Sequence, residues 1–190
     1  MSSPREKWNR IHRAGAEAPA AAAVLLSNLH LLPAQGDALD LACGLGGNAL
    51  LLAGRGLRTS AWDISDVALR LLAGHARRLG LPVRTERRDV ETEPFPHDAF
   101  DVVTVSRFLA RPLANAIVAS LRPGGLLFYQ TFTRAKCSAT GPSNPDFLLR
   151  ENELPVLFAD LRLRYYREDH RCGDLALGLR DEACYVGQKD

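Results

Sequence analysis

The residues of this chain that could do chemistry gather first in the run Leu39-Asp40-Leu41-Ala42-Cys43-Gly44-Leu45-Gly46-Gly47-Asn48-Ala49. Its small residues let a strand turn sharply into a helix and let a ligand approach the backbone closely. Gly44, Gly46 and Ala49 also satisfy the loose GxGxxG/A spacing in which a helix N-terminus receives a pyrophosphate. An acid, Asp63, follows at the end of the next apolar segment, about 20 residues on. There its carboxylate can accept hydrogen bonds from both hydroxyls of a ribose.

The turn and Asp63 alone fit either a dinucleotide or S-adenosylmethionine, since both carry a ribose. Charge separates them. Asp40, at the start of the turn, would repel a diphosphate but has an electrostatic use beside an ammonium group. Asp89 can accept the amino group of an adenine, and the N–H of Val90 can donate to a ring nitrogen. Cys43 lies inside the turn, where a small side chain serves packing rather than nucleophilic attack. Trp8 and Arg13 can close over the cofactor, with Arg13 meeting its carboxylate, although Trp8 can equally pack an N-terminal helix onto the sheet. Arg107 at the mouth of the cleft can orient an anionic substrate, or be a surface charge paired to a nearby acid.

Composition narrows the setting. A chain of 190 residues can bury one good core, and no purely apolar stretch reaches the roughly 18 residues a membrane span needs. The charged N-terminus is unlike a signal peptide, so we expect a single soluble, cytoplasmic domain over 1–190. Lys plus Arg exceeds Asp plus Glu by 24 to 22 with signs mixed, which points away from nucleic acid and toward a small-molecule acceptor. The four cysteines show no CxxC spacing and the five histidines are dispersed, so no metal and no disulfide framework are expected. The sequence leaves monomer and homodimer open.

Hydrophobic patterning then supplies the elements that must hold these residues. Residues 1–33 read as two helices, one around Trp8, Ile11 and His12 and one over the alanine- and leucine-rich run from Ala18 to Leu32. Strands are expected at Ala38–Ala42, Leu57–Asp63, from Pro82 toward Asp89, at Phe100–Ser106 and at Leu126–Thr133. Helices fall between them. Ser65 and Asp66 can cap one from about Val67 to Leu79, with Leu69, Leu72, Ala73, Ala76 and Leu79 inward and Gly80 at its end. A closing antiparallel pair is expected at Leu161–Tyr166 and Ala183–Val186. Tyr129 and Thr131 must face the opposite side from Phe128 and Gln130, though the sequence does not say which. Alternating strands and helices predict a three-layer α-β-α, doubly wound, Rossmann-like sheet.

Taken in order, Asp40-Leu41-Ala42-Cys43-Gly44-Leu45-Gly46, Asp63, Asp89 and Leu121-Arg122-Pro123-Gly124-Gly125 make the chain resemble the class I S-adenosylmethionine-dependent methyltransferases over Ala38 to Val186. Within that group it is similar to the small tellurite-resistance-type and thiopurine-type enzymes. The carriers are Trp8-Asn9-Arg10, Phe108-Leu109-Ala110-Arg111-Pro112-Leu113, Tyr129-Gln130-Thr131-Phe132-Thr133, Gly141-Pro142-Ser143-Asn144-Pro145 and Phe147-Leu148-Leu149. The resemblance implies seven strands with the last antiparallel, an N-terminal helical lid, and S-adenosyl-L-methionine across the carboxyl ends of the strands, leaving S-adenosyl-L-homocysteine as product. The expected cradle is Trp8, Arg13, Asp40, Ala42, Cys43, Gly44, Gly46, Asn48, Asp63, Ile64, Asp89, Val90, Ser106 and Arg107. Two departures stand out: Ala42 replaces the usual first glycine, and Ala110 stands where relatives often carry histidine. With that base missing, a thiol or a chalcogen oxyanion such as tellurite fits best as acceptor. The alternatives are a nicotinamide-dependent oxidoreductase and a non-catalytic binding module.

Overall fold

The structure, a computed structural model, describes residues 3–13 and 17–190. Its strands are β1 (Asp37–Leu41), β2 (Arg58–Asp63), β3 (Val83–Arg87), β4 (Phe100–Ser106), β5 (Leu121–Phe132), β6 (Arg162–Glu168) and β7 (Glu182–Gln188). They form one seven-stranded sheet in the order β3-β2-β1-β4-β5-β7-β6. β7 alone runs against its neighbours, pairing antiparallel with both β5 and β6. Its insertion between them is the expected closing pair, with the final strand reversed.

Helices α1 (Pro4–His12), α2 (Ala23–Ser27), α3 (Gly47–Gly54), α4 (Asp66–Leu79), α5 (Ala114–Ser120) and α6 (Glu153–Leu157) complete the layers. The alternation of side chains along each strand splits the core in two. On one face Ala38, Val102, Phe128 and Val186 pack with Val24 and Leu25 of α2 and Leu52 of α3. On the other, Leu39, Val103, Tyr129 and Tyr185 pack with Ile117 of α5, Leu154 of α6 and Phe158. The open choice on β5 is thereby settled: Phe128 lies under α2 and α3, Tyr129 under α5 and α6.

Two expectations need correction. The run from Ala18 to Leu32 is helical only over α2 and a 3₁₀ turn at Leu29–Leu31, and residues 17–22 are not helical despite their alanines. Asn48 Oδ1 accepts the N–H of Ala22 at 2.8 Å, so a tertiary bond overrides a weak local propensity. In α4, Ser65 caps the N-terminus by accepting Ala68 N–H and Gly80 closes it in the left-handed region, as expected. Leu79, however, is 63% exposed, and His75 takes the inward place three residues after Leu72.

Candidate cofactor and acceptor site

β1 ends at Leu41 and the chain turns over Ala42 to Gly46 into α3. Three residues in that stretch have positive φ: Ala42 at 52°, Gly44 at 52° and Gly46 at 80°. Glycine adopts this region freely, whereas for Ala42 it costs about 1 kcal/mol. The turn is closed by Gly46 N–H to Cys43 O and tied to β2 by Cys43 N–H to Trp62 O, both 2.9 Å. A Cβ on Gly46 would come within 2.2 Å of Leu72 Cδ1, which explains a glycine there in packing terms. Gly47 has a different reason: a Cβ would meet the carbonyl of Pro19 at 2.4 Å, because the N-terminal segment crosses the turn at that point.

Asp63 stands at the end of β2 facing this turn. Its Oδ2 accepts Gly44 N–H and its Oδ1 accepts Ser65 N–H, each at 2.8 Å. An ionised carboxylate offers about four acceptor positions, so these two bonds leave acceptor capacity over. Burial pushes its pKa up, against the pull of the Ser65 and Gly44 donors. Ile64 beside it is half-buried.

Asp40 is placed otherwise than expected. It is 1% exposed, and its oxygens accept from Ala49 N–H (3.0 Å), Asn48 Nδ2 (3.3 Å) and Thr104 Oγ1 (3.0 Å). The carboxyl fastens the start of α3 from below, so an ammonium in the cleft would feel it through space. Desolvation raises its pKa to about 7, opposed by those three donors. Asn48 also leaves the cleft wall: 5% exposed, it bonds Ala22 N–H, Asp40 and Ser106 Oγ. The Cys43 thiol is pushed well up by burial and then by Asp40 and Asp63, which leaves it protonated and a poor nucleophile.

The N-terminal helix α1 brings Asn9 and His12 to the turn. Asn9 Oδ1 accepts from Ser65 Oγ at 2.8 Å and Val67 N–H at 3.3 Å, and Arg5 bonds Asp66 through Nε at 2.7 Å. These bonds dock α1 on the start of α4, beside Asp63. His12 then lies over the turn, its Cε1 3.4 Å from where a Gly44 Cβ would stand. Burial lowers the His12 pKa, with Asp63 pulling it back up. Trp8 is 40% exposed and stacks on His12, centroids 5.8 Å apart. Arg13 is the exposed C-cap of α1. The local sequence signal for this docking is Asn9, within Trp8-Asn9-Arg10.

At the third strand, Asp89 lies two residues beyond β3, half-buried, and its Oδ1 accepts Glu91 N–H at 3.2 Å. Val90 is 8% exposed and joins the core around Trp62. Beside β1, Ser106 ends β4 and Arg107 turns away with φ 54°. Arg107 Nε donates to Glu182 Oε1 at 2.9 Å, so the surface-pairing alternative describes its contact. Glu182 and its second partner, Gln130, carry no local pattern that would single them out. A cleft of about 340 Å³ lined by Asp37, Leu57, Arg58, Ser60 and Arg84 sits at the opposite, amino-terminal ends of β1 to β3. Ligands of open α/β sheets bind at the carboxyl ends, where Asp63 and the glycine turn converge. Among the described residues no group of three or more His, Cys, Asp or Glu side chains could hold a metal, and no helix is long and apolar enough to cross a membrane.

Comparison with known proteins agrees with this geometry. Residues 38–125 match the family described as a methyltransferase domain. Hemagglutinin 1 of Eikenella corrodens is 32% identical over 139 residues, 68% of this chain and 45% of that protein. The ubiquinone biosynthesis O-methyltransferase of Thiobacillus denitrificans is 34% identical over 102 residues, 50% of this chain and 44% of that protein. The chain thus spans less than half the length of these curated relatives. Among solved structures, TehB from Haemophilus influenzae superposes with TM-score 0.70 at 18% identity, over 97% of this chain and 67% of that one. A SAM-dependent methyltransferase from Aquifex aeolicus does so at TM-score 0.70 and 13% identity, over 100% of both. At such identities these structures speak for the fold. Residues 38–125 thus match a methyltransferase-domain family, and the sheet has the Rossmann-like fold shared by these solved structures.

Proposed function

We propose that this chain works in the cytoplasm as a single-domain methyltransferase, passing a methyl group from S-adenosylmethionine to a small molecule, with a thiol or a chalcogen oxyanion such as tellurite as the acceptor class. The observation that carries the reading is Asp63, buried at the end of β2, locked to Gly44 N–H and retaining acceptor capacity toward the cleft. Gly44, whose missing Cβ leaves room under His12, gives a cofactor access to that carboxylate. Ile64, Asp89 and Val90 follow β2 and β3 and are our adenine-side candidates, while Asp40 anchors the start of α3 beneath the turn. The methyl-matched family sets the nicotinamide reading aside.

The bound sulfonium supplies an activated methyl group. The residues of this chain need to align a nucleophile with it and exclude water. α1, docked through Asn9 and Arg5, closes the cleft on the Asp63 side. Ala110 leaves the acceptor side without the histidine that relatives often place there, which suits a soft nucleophile needing little help with deprotonation. A second reading, methylation of a hydroxyl, is favoured by the O-methyltransferase named among the relatives.

Titration with S-adenosylhomocysteine, S-adenosylmethionine, NADH and NADPH in a calorimeter tests the class. Micromolar binding of the homocysteine compound with none of the nicotinamides is expected; the reverse pattern overturns it. Transfer of labelled methyl to a panel of thiols, tellurite and catechols then separates the two acceptor readings, and transfer to none of them favours a non-catalytic binding module.

A further inference from the structure

We infer that the amino-terminal end of the sheet, opposite the cofactor turn, is a docking groove for an extended acidic segment of a partner protein, with aliphatic side chains between its acids. Two clefts of about 340 and 480 Å³ lie there and share Pro82 and Arg84 as a common wall. Together they run from the start of β1 at Asp37, across the first residues of β2 and β3, to the last turn of α4. The lining is aliphatic between the charges, with Ala53 and Leu57 in the first cleft and Ala73, Ala76, Leu81 and Val83 in the second. Both clefts are open to solvent, so they suit a chain laid across them better than a small molecule enclosed on all sides. Two strand spacings separate β1 from β3, about 10 Å, which roughly three residues of extended chain would span.

The rim selects the charge of the occupant. Arg58, Arg77 and Arg84 line the groove, and among the described residues Asp37 is its one acid. Asp37 is already committed: it accepts Arg58 Nε at 2.7 Å and Nη2 at 2.8 Å, and Arg122 Nη1 lies 2.9 Å from it. Arg77, in the last turn of α4, has no side-chain hydrogen bond or ion pair among the described residues. Arg84 is 80% exposed, and its partner Glu86, 3.8 Å away, is shared with Arg88 at 3.6 Å.

Two of these arginines also have a local use. Arg77 offsets the carboxyl end of α4, and Arg84 discourages strand pairing along the free edge at β3. Neither use calls for an aliphatic groove between them. Because the edge is guarded, the occupant lies across the strand ends rather than beside β3. There its carboxylates meet Arg77, Arg84 and the remaining Nη1 of Arg58, as acidic segments meet arginine clusters elsewhere. The charges steer and orient the segment, while its aliphatic side chains cover the apolar lining and supply the hydrophobic gain.

Fluorescence anisotropy of a rhodamine-labelled hexapeptide alternating glutamate and leucine tests the groove. We expect saturable binding that weakens with added salt. The Arg77→Glu/Arg84→Glu double variant should weaken it at least tenfold. Both side chains are exposed, so the variant should keep the Tm of the parent and its affinity for S-adenosylhomocysteine, which is expected at the other end of the sheet. The Arg77→Gln/Arg84→Gln variant, which only removes the charges, should fall between the two. A hexapeptide alternating glutamate and serine carries the same charge but leaves the apolar lining uncovered, and it should bind at least fivefold more weakly. No binding to the parent, or equal binding to the double variant, overturns the inference. So does equal binding of the serine peptide, which would mean attraction by charge alone. Tight binding of pyrophosphate to the parent, lost in the double variant, would assign the arginines to a small anion and overturn it as well.

Discussion

The carboxyl ends of β1 and β2 and the carboxyl end of β5 with the start of β7 are built on different plans. Above β1 and β2 the turn is closed by contacts between residues close in sequence, Asp63 with Ser65 two apart, Asp40 with Ala49 nine apart and Gly44 with Asp63 nineteen apart, and Thr104 and Ser106 then reach it from 64 and 58 residues away. Above β5 and β7 the contacts join distant residues: Arg111 with Glu153 at 42, Gln130 with Glu182 at 52, Arg107 with Glu182 at 75. The family match ends at residue 125, before most of the second region. A constant cofactor can be met by a compact local motif, whereas an acceptor site can be assembled from any loops the sheet brings together.

The sharpest way to break this comparison is Asp63→Ala. It removes the proposed ribose acceptor and frees Gly44 and Ser65 N–H, so affinity for S-adenosylhomocysteine should fall roughly a thousandfold, about 4 kcal/mol; calorimetry that finds it unchanged refutes the cofactor assignment. Asp40 gives a pH signature. Its folded pKa of about 7 lies above the unfolded 3.8, so the folded chain binds the extra proton between those values and this group lowers stability as pH rises from about 4 to 7. Asp40→Asn should remove that slope, gaining roughly 4 kcal/mol relative to the parent between pH 4 and pH 8 in denaturant titrations. The same slope in both proteins would mean that Asp40 does not hold the proton.

Gly46→Ala should lose about 2 kcal/mol, since its Cβ would press on Leu72, which is fully buried, from a left-handed backbone. On the acceptor side, Arg111 holds Glu153 and the carbonyls of Asp146 and Leu148. Arg111→Ala should lower Tm by roughly 3–6 °C, about 1.5 kcal/mol, while S-adenosylhomocysteine binds within twofold of the parent. A large loss of cofactor affinity there would show that the two regions are one unit. The smallest effect is a gain: Ala42→Gly relieves the positive φ and should add about 0.5–1 kcal/mol, read as a rise in Tm of roughly 2 °C.

From the sequence alone came the strand and helix alternation, the glycine turn and Asp63, while the reversed last strand came from the family resemblance. The first three are encoded by neighbours: β-branched runs at Val102 to Val105, glycines at Gly44 and Gly46, and an acid one strand later. Ser65 and Gly80 marked the ends of α4 because caps act within one turn. Tertiary structure decided the rest. Asp40 and Asn48 lie in the motif yet point into the fold, because Thr104 of β4 and Ala22 of the N-terminal segment arrive to bond them. His12 reached the cofactor turn only once Asn9 had docked α1 on α4, and Glu182 met Arg107 only because β7 inserts beside β5. Periodicity and turn chemistry report the nearest few residues; which distant side chain completes a buried hydrogen bond is fixed by packing, and no local pattern records it.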